Sequence, residues 1–476
     1  MLEARAHHQL KHLLRQEGGG DWPHHLTLCR LVGRSLRRAD HTLIRLAAGS
    51  DPNWLVGLMV PLAMGEVSVA LVATEAMRRR LLQVELPRLR AAGLALSCWE
   101  GEKAPEQARL WLLSHEGLLR AWQSGELGAR QLVFPEAELV QSRLREALEI
   151  NLESSHWEQL RRCLPAADSS LLALHERLSR RILSQPAAPS NQVAVAPEDE
   201  APLRQLLRLL GPLPDPWPAW MAADDRHWTS WATVDRRQLQ WRLHRQPLEP
   251  LEVAAGLLDG RGTVVVGLLG KETGLPGITP KVVVDLAEPP LADPLPLYVP
   301  WRQPLPNSPH YSDHLLDHSR RLVLAQTGLS IVLVEDASLR LTLASGLAAE
   351  FGSRVVHQNT APASNGVICC SWGWWLDHQN RLPLPCQVIV GPLPISSLED
   401  PLTAARVANL RQQGRDWFRE LLLPEAVLQL QRASASLRRA TGRLALLDGR
   451  VRSRSWGQQV LTSLEPWVEL SRLLPT

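Results

Sequence analysis

Short runs of aliphatic and β-branched residues recur between leucine- and arginine-rich segments of helical spacing, and this alternation leaves few folds open. Near the start come Thr42–Leu46, the apolar segment 54–64, 67–73, Leu110–Leu113 and 132–134. The pattern resumes with 263–269 and 282–285, then 330–334, 354–357, 366–370, Gln387–Val390 and 443–447. Runs without a polar alternate face are those of strands buried on both sides. Strands separated by helices in this way imply a mainly parallel sheet with helices on each face. Between 151 and 230 no such run stands out. HWEQLRRCL and SLLALHERLSRRIL are helical by their leucine spacing, and 184–202 has the proline, alanine and acid content of a flexible connector. A proline-rich stretch, 289–309, reads as an extended crossing, because its prolines forbid a helix interior. The expected architecture is therefore α/β with two parallel-sheet lobes. Residues 1–150, completed by 231–288, form the first lobe; 151–230 is a helical insertion with a linker; 289–476 forms the second lobe.

Composition narrows the setting. Hydrophobic content of 45% and charged content of 21% suit a soluble globular protein, and a net charge of +3 favours no particular partner. The 52 basic residues include only four lysines, Lys11, Lys103, Lys271 and Lys281. A GC-rich genome accounts for that bias; contacts to phosphates and stacked bases are the functional alternative. The 18 tryptophans, against 2 tyrosines and 3 phenylalanines, have no sequence-level explanation. Six scattered cysteines contain no C-x-x-C pair, so neither a structural zinc site nor a four-thiolate iron–sulfur cluster is expected, and buried free thiols in a reducing compartment are. The amphipathic start MLEARAHHQLKHLL is unlike a secretory signal, and the longest apolar run, 54–65, is too short to span a bilayer before Glu66 intervenes. A cytoplasmic protein without membrane contact is the expectation.

The segment 131–147 organises the first lobe. Leu132, Val133 and Phe134 form a buried strand that stops at Pro135. A helix follows, with Leu139, Leu144 and Leu148 on its apolar side and Arg143 and Arg145 on its wet side. Carboxylates at the carboxyl end of such a strand are where nucleotide-driven motors hold magnesium and orient water. Here the residues are Pro135, Glu136, Ala137 and Glu138.

Taken in chain order, these pieces resemble the DinG/XPD group of superfamily 2 DNA helicases. VALVATEAMRRRLLQVELPRL (69–89) is similar to motif Ia of that group, with Thr74 after the strand. LWLLSHEGLL (110–119) resembles its Asn-His-Ala-Leu-Leu segment, and LVFPEAEL takes the place of the Asp-Glu-Ala-His box. LYVPWRQPLPNSPHYSDHL (297–315) resembles the connector into the second lobe, and SIVLVEDASLRLTLASGL (330–347) resembles motif IV. The segment from 371 to 401 resembles the Phe-Trp-Glu-Gly-x-Asp loop, and 423–466 resembles motif VI with its following segment. The resemblance implies two RecA-like lobes of the P-loop NTPase type and a family activity of ATP-dependent DNA unwinding in replication and repair, with ATP and magnesium as family cofactors.

The residues that would run such a motor are largely replaced. A P-loop needs converging glycine N–H groups, a lysine for the phosphates and a hydroxyl for magnesium. The corresponding stretch is AAGSDPNWLVGLMVP (47–61), leaving Gly49, Ser50, Asn53 and Trp54 at a degenerate cradle, with Trp54 in the lysine place and Leu55 in the hydroxyl place. Pro52 lacks an N–H, and Asp51 adds a negative charge. Gly270-Lys271 in GLLGKETG is no substitute, because Glu272 follows where Ser or Thr is required. Pro135 cannot bind magnesium, Ser436 stands for the first motif VI arginine, and Gly373 replaces the motif V acid. The catalytic remnants are Glu136, which can still orient a water, and Arg439. For nucleic acid, the resemblance points to Thr74, Trp372, Trp374 and Arg438, with arginine stretches at 34–38, 78–80, 320–321 and 432–443 as further contacts. His314 and His318 lie i,i+4 beside Asp313 and Asp317 but read as a solvated helix face rather than a metal site.

The expectation is thus a helicase-family protein with a degenerate ATP site and no bound cofactor or metal. It would act as a factor for single-stranded or forked DNA or in a complex with another protein. A protein-interaction scaffold without nucleic-acid contact and an active helicase with an atypical ATP site are the alternatives.

Overall fold

A computed structural model describes residues 1–476 except 19–21, 187–189, 270–274, 276, 287–293, 440 and 472–476. The first lobe opens with strands β1 (Thr42–Leu46), β2 (Val69–Val72), β3 (Cys98–Glu100), β4 (Leu110–Leu113) and β5 (Gln131–Phe134). An insertion then contributes β6 (Ile150–Leu152), β7 (Gln192–Val195), β8 (Trp228–Asp235) and β9 (Gln240–Pro247), after which β10 (Thr263–Gly267) and β11 (Val282–Leu286) return to the first sheet. That sheet has seven strands in the order β11-β1-β10-β5-β2-β4-β3, each neighbour parallel. Its side chains divide between two cores. Ile44, Leu71, Val133, Val264 and Val266 pack under the helices Leu2–Gln16, His25–Arg38 and Leu55–Met64. Leu43, Ala70, Val72, Leu132, Phe134 and Val265 face the opposite core, with Leu118 and Leu144 of the helices His115–Gln123 and Val140–Ala147. The period of two places apolar residues on both faces, as a sheet covered on both sides requires.

The second lobe repeats the design. Strands β12 (Leu295–Tyr298), β13 (Ser330–Leu333), β14 (Val355–His357), β15 (Val367–Cys370), β16 (Gln387–Val390), β17 (Arg443–Leu446) and β18 (Trp467–Glu469) form a second seven-stranded sheet, ordered β14-β15-β13-β16-β17-β12-β18. All its pairings are parallel. The two-lobe α/β expectation is met, with differences inside it. The apolar segment 54–64 is largely the helix Leu55–Met64, with Pro61 inside it. β12 lies within the proline-rich crossing, where Pro296 reads as a strand breaker, and β3 and β18 are short strands with exposed residues.

The insertion holds the expected helices Ser154–Cys163 and Asp168–Leu183 and also a four-stranded antiparallel sheet, ordered β6-β9-β8-β7. β7 and the helix Pro197–Arg208 occupy much of the stretch read as a flexible connector, and the β8–β9 hairpin extends past 230 to Pro247. The hairpin escapes a search for β-branched runs because it alternates polar and apolar residues, as half-buried antiparallel strands do. This core explains part of the tryptophan count: Trp157, Trp217, Trp220 and Trp241 are buried in it, and the Trp157 and Trp217 rings meet edge-on at 5.0 Å. Arg245 in β9 is also buried and bonds Glu200 at 2.8 Å and Ser230 at 2.9 Å.

Two further corrections concern single side chains. Arg145, expected on a wet face, is 4% exposed and donates to the carbonyls of Pro247 and Leu248 at 3.1 and 3.0 Å, tying its helix to the end of β9. Of the cysteines, Cys29, Cys369 and Cys370 are buried as expected, whereas Cys163 is exposed and Cys98 and Cys386 are half-buried. Among the described residues, no helix is long and apolar enough to cross a membrane.

Candidate functional site between the lobes

The carboxyl ends of β1, β2, β5 and β10 bring the sequence-selected positions together. Thr74, just past β2, caps the helix Glu75–Arg80 and also engages Glu136 past β5. Its N–H donates to Glu136 Oε2 at 2.8 Å and its hydroxyl to Glu136 Oε1 at 3.0 Å. Motif Ia and the acidic box are thereby joined by a two-point hydrogen bond to one carboxylate, an arrangement that fixes Glu136 in orientation.

Glu138, two residues on, was passed over in the sequence. Its side chain is 9% exposed, and Oε2 accepts the Leu268 N–H at 2.9 Å. Arg432 of the second lobe stands 4.0 Å from Oε1. Burial pushes the Glu138 carboxyl up to about 7 against the pull of Arg432, and Glu136 nearby raises it further. The only hint in the sequence was a pair of acids at i,i+2 after a buried strand; Arg432 and the Leu268 N–H reach them only through the fold. Gly267 makes this seat possible, since a Cβ there would lie 2.2 Å from Glu138 Oε2 and 2.7 Å from the Ala137 nitrogen. Gly267→Ala is expected to destabilise the protein by about 1–3 kcal/mol in urea denaturation, the usual cost of overpacking. Unchanged stability would mean that Glu138 sits elsewhere.

The loop after β1 is closed on itself. The Ser50 N–H donates to Ala47 O at 3.2 Å, the Asn53 N–H to Asp51 Oδ1 at 2.7 Å, and the Trp54 N–H to Asp51 O at 3.0 Å. Ser50 Oγ is likewise turned inward, to Ala47 O at 2.8 Å, and the Asn53 carbonyl meets His25 Nε2 at 3.0 Å. Trp54 is 6% exposed and belongs to the core beneath β1, and Leu55 is fully buried. Gly49 adopts φ +84°, and the helix Leu423–Arg439 presses on it: a Cβ there would lie 3.1 Å from Arg438 Cβ and Cδ. Arg439 lies on the same helix, within electrostatic reach of Asp51.

The nucleic-acid positions fare differently. Trp372 is 1% exposed in the second-lobe core, so it offers no face to a base, contrary to expectation. It has the strand-to-helix position of an exposed loop residue, but packing against that core turns it inward. Arg438 is also committed: its guanidinium donates to the carbonyls of Leu464 and Pro466, the latter at 3.3 Å, which holds the segment before β18 rather than a phosphate. Trp374 is half-buried and stacked on His378 at 4.5 Å. The arginine stretches are mostly matched by acids: Arg34 with Asp40, Arg37 with Glu3, Arg78 with Glu100, Arg79 with Glu75, Arg80 with Glu85, Arg320 with Glu350 and Arg321 with Asp317. Gly270-Lys271 lies outside the described residues.

No family model matches the chain. It is 31% identical over 137 residues to the ATP-dependent DNA helicase YoaA of Escherichia coli K12, and 35% identical over 104 residues to YoaA of Haemophilus influenzae. Those matches span 28% and 21% of this chain but only 22% and 16% of the relatives' own length. Among solved structures, Xpd4 of S. tokodaii superposes with a TM-score of 0.62 at 11% identity, covering 92% of this chain and 97% of that one. An apo XPD structure also gives 0.62, at 12% identity, over 93% of this chain and all of the other. In fold the chain is therefore similar to the XPD structures, with two RecA-like lobes, and part of its sequence is similar to the DNA helicase YoaA.

Proposed function

We propose that this chain is a helicase-family protein whose interlobe cleft does not drive ATP hydrolysis, kept as a DNA-binding or complex-forming factor in the cytoplasm. One observation carries the reading. The donors that would cradle a triphosphate, the N–H groups of Ser50, Asn53 and Trp54, are engaged inside their own loop, and the side chain in the lysine place is buried in the core. Phosphoryl transfer depends on lysine, hydroxyl, acid and arginine acting on one group together, so these losses compound. Glu136 and Arg439 remain as polar groups in the cleft without a metal carboxylate at Pro135.

DNA binding, in this reading, is carried by surface arginines. Their ion pairs are worth about 0–1 kcal/mol each in water and can be exchanged for phosphates. Such binding is non-specific and weakens steeply with salt. Polarisation of labelled single-stranded DNA is expected to show binding at about 50 mM salt that falls by tenfold or more by about 200 mM. ATP turnover with DNA present is expected to stay at background and to be unaffected by Glu136→Gln. Turnover abolished by Glu136→Gln would overturn the motor-silent reading, and failure to bind DNA even at low salt would leave a protein-interaction scaffold.

A further inference from the structure

We infer that the second lobe carries a separate binding site for a single nucleotide unit, base and phosphate, in the cavity at the carboxyl ends of β12 and β18. This goes beyond the reading above, because the cavity shares no residue with the interlobe cleft. Its volume is about 280 Å³. That is near the lower limit of about 300 Å³ for small-molecule sites and suits one heterocycle with its sugar rather than a larger ligand. Ligands of parallel α/β sheets gather outside the carboxyl ends of the strands, which is where this cavity lies.

The walls supply both chemistries a nucleotide needs. His314 and His318, one turn apart on the helix Tyr311–Leu324, are half-buried and stack at 4.3 Å and 16°. Tyr298 continues the aromatic wall, its ring stacked on His318 at 5.8 Å and its hydroxyl 3.0 Å from His318 Nδ1. Trp301 at the rim is 75% exposed, an unusual cost for so large an apolar ring. The Arg452 guanidinium lies 4.2 Å over the Trp301 ring. Arg452 also pairs with Glu469, so the acid in this wall is already compensated. Arg302 is exposed beside Trp301 and supplies the positive charge for a phosphate. Base stacking on Trp301 and a charge-assisted contact at Arg302 together make the recognition.

The shared chemistry admits two sources, a free nucleotide or one unit of a nucleic-acid strand, and calorimetry on the full chain separates them. AMP is expected to bind, Trp301→Ala to weaken it roughly tenfold or more, and Arg302→Gln to weaken AMP while leaving adenosine unchanged. If single-stranded oligodeoxyadenylate binds more tightly than AMP and loses affinity in Trp301→Ala, the source is a strand; if AMP binds as tightly as the oligomer, it is a free nucleotide. Trp99→Ala, an exposed tryptophan of the first lobe, should leave either affinity unchanged. The assignment is overturned if neither probe binds, if Trp301→Ala retains full affinity, or if Trp99→Ala weakens binding equally. That failure would leave the motor-silent reading standing, since ATP turnover tests the cleft alone.

Discussion

Trp54→Lys, which places a lysine where the resemblance to the DinG/XPD group expects one, is expected to cost about 3–5 kcal/mol of stability or more and to yield no ATP turnover. Trp54 is 6% exposed in the first-lobe core, which also holds Leu55 and Leu58 of the helix that follows it. Truncating a buried tryptophan alone costs about 3–5 kcal/mol. A lysine adds the desolvation of its ammonium unless it deprotonates or reaches the surface. Trp54→Phe, which keeps an apolar ring, should retain most of the stability. The reason no activity returns lies in the backbone: the Asn53 and Trp54 N–H groups stay bound to Asp51, and Pro52 has none to offer. Urea denaturation and a coupled ATPase assay read both outcomes. A Trp54→Lys protein of undiminished stability that hydrolyses ATP would show a cradle intact but for one side chain, contrary to the closed loop seen here.

The second large effect is a pH dependence seated at Glu138. Its carboxyl has an ordinary value of 4.5 and is pushed up to about 7 in the folded chain, chiefly by burial. Below pH 4.5 both folded and unfolded chains hold the proton, and the contribution is fully present. Between 4.5 and about 7 the unfolded chain ionises while the folded one keeps its proton, so stability falls as pH rises. At roughly 1.4 kcal/mol per pH unit, the loss amounts to about 3 kcal/mol across that window. Glu138→Gln should remove this part of the slope and stabilise the protein by about 1–3 kcal/mol at pH 8, offset in part by the lost attraction to Arg432. Denaturation of both proteins from pH 5 to pH 8 measures the difference, and parallel curves would refute it. The same proton limits the chemistry of the cleft. Near pH 7 Glu138 is only about half ionised, so Glu136, already held by Thr74, is the acid that carries its charge more fully toward a metal or water.

The frame was legible in the chain because its cause is local. Thr42–Leu46, Leu110–Leu113 and Gln387–Val390 are strands over the residues their composition marks, since a doubly covered parallel strand needs an unbroken apolar run. Ser114 and Ser371 stop two such strands and cap the next helices, at 3.0 Å to the Gly117 N–H and 3.3 Å to the Trp374 N–H. The hairpin β8–β9 was not legible: its polar–apolar alternation breaks up the apolar run that marks the other strands, and its partners lie at 150–152 and 192–195.

At the site, the resemblance to the DinG/XPD group implied which groups are missing, since the Trp54 side chain cannot supply a phosphate-binding charge and Pro135 has no carboxylate for magnesium. What becomes of the remaining groups was settled by distant chain. Trp372 and Trp301 are the same residue type, each a few residues past a strand, yet one is 1% and the other 75% exposed. Arg145 and Arg438 carry the charge of surface residues but are drawn to carbonyls 102 and 26 positions away. Glu138 owes its raised carboxyl to burial, which Arg432 and the Leu268 N–H only partly offset, and the fold brings all three together from distant stretches of chain. A residue's type and its near neighbours fix what it can bond to; only tertiary packing fixes its solvent and its partners, and at this cleft those decide which groups are left to act.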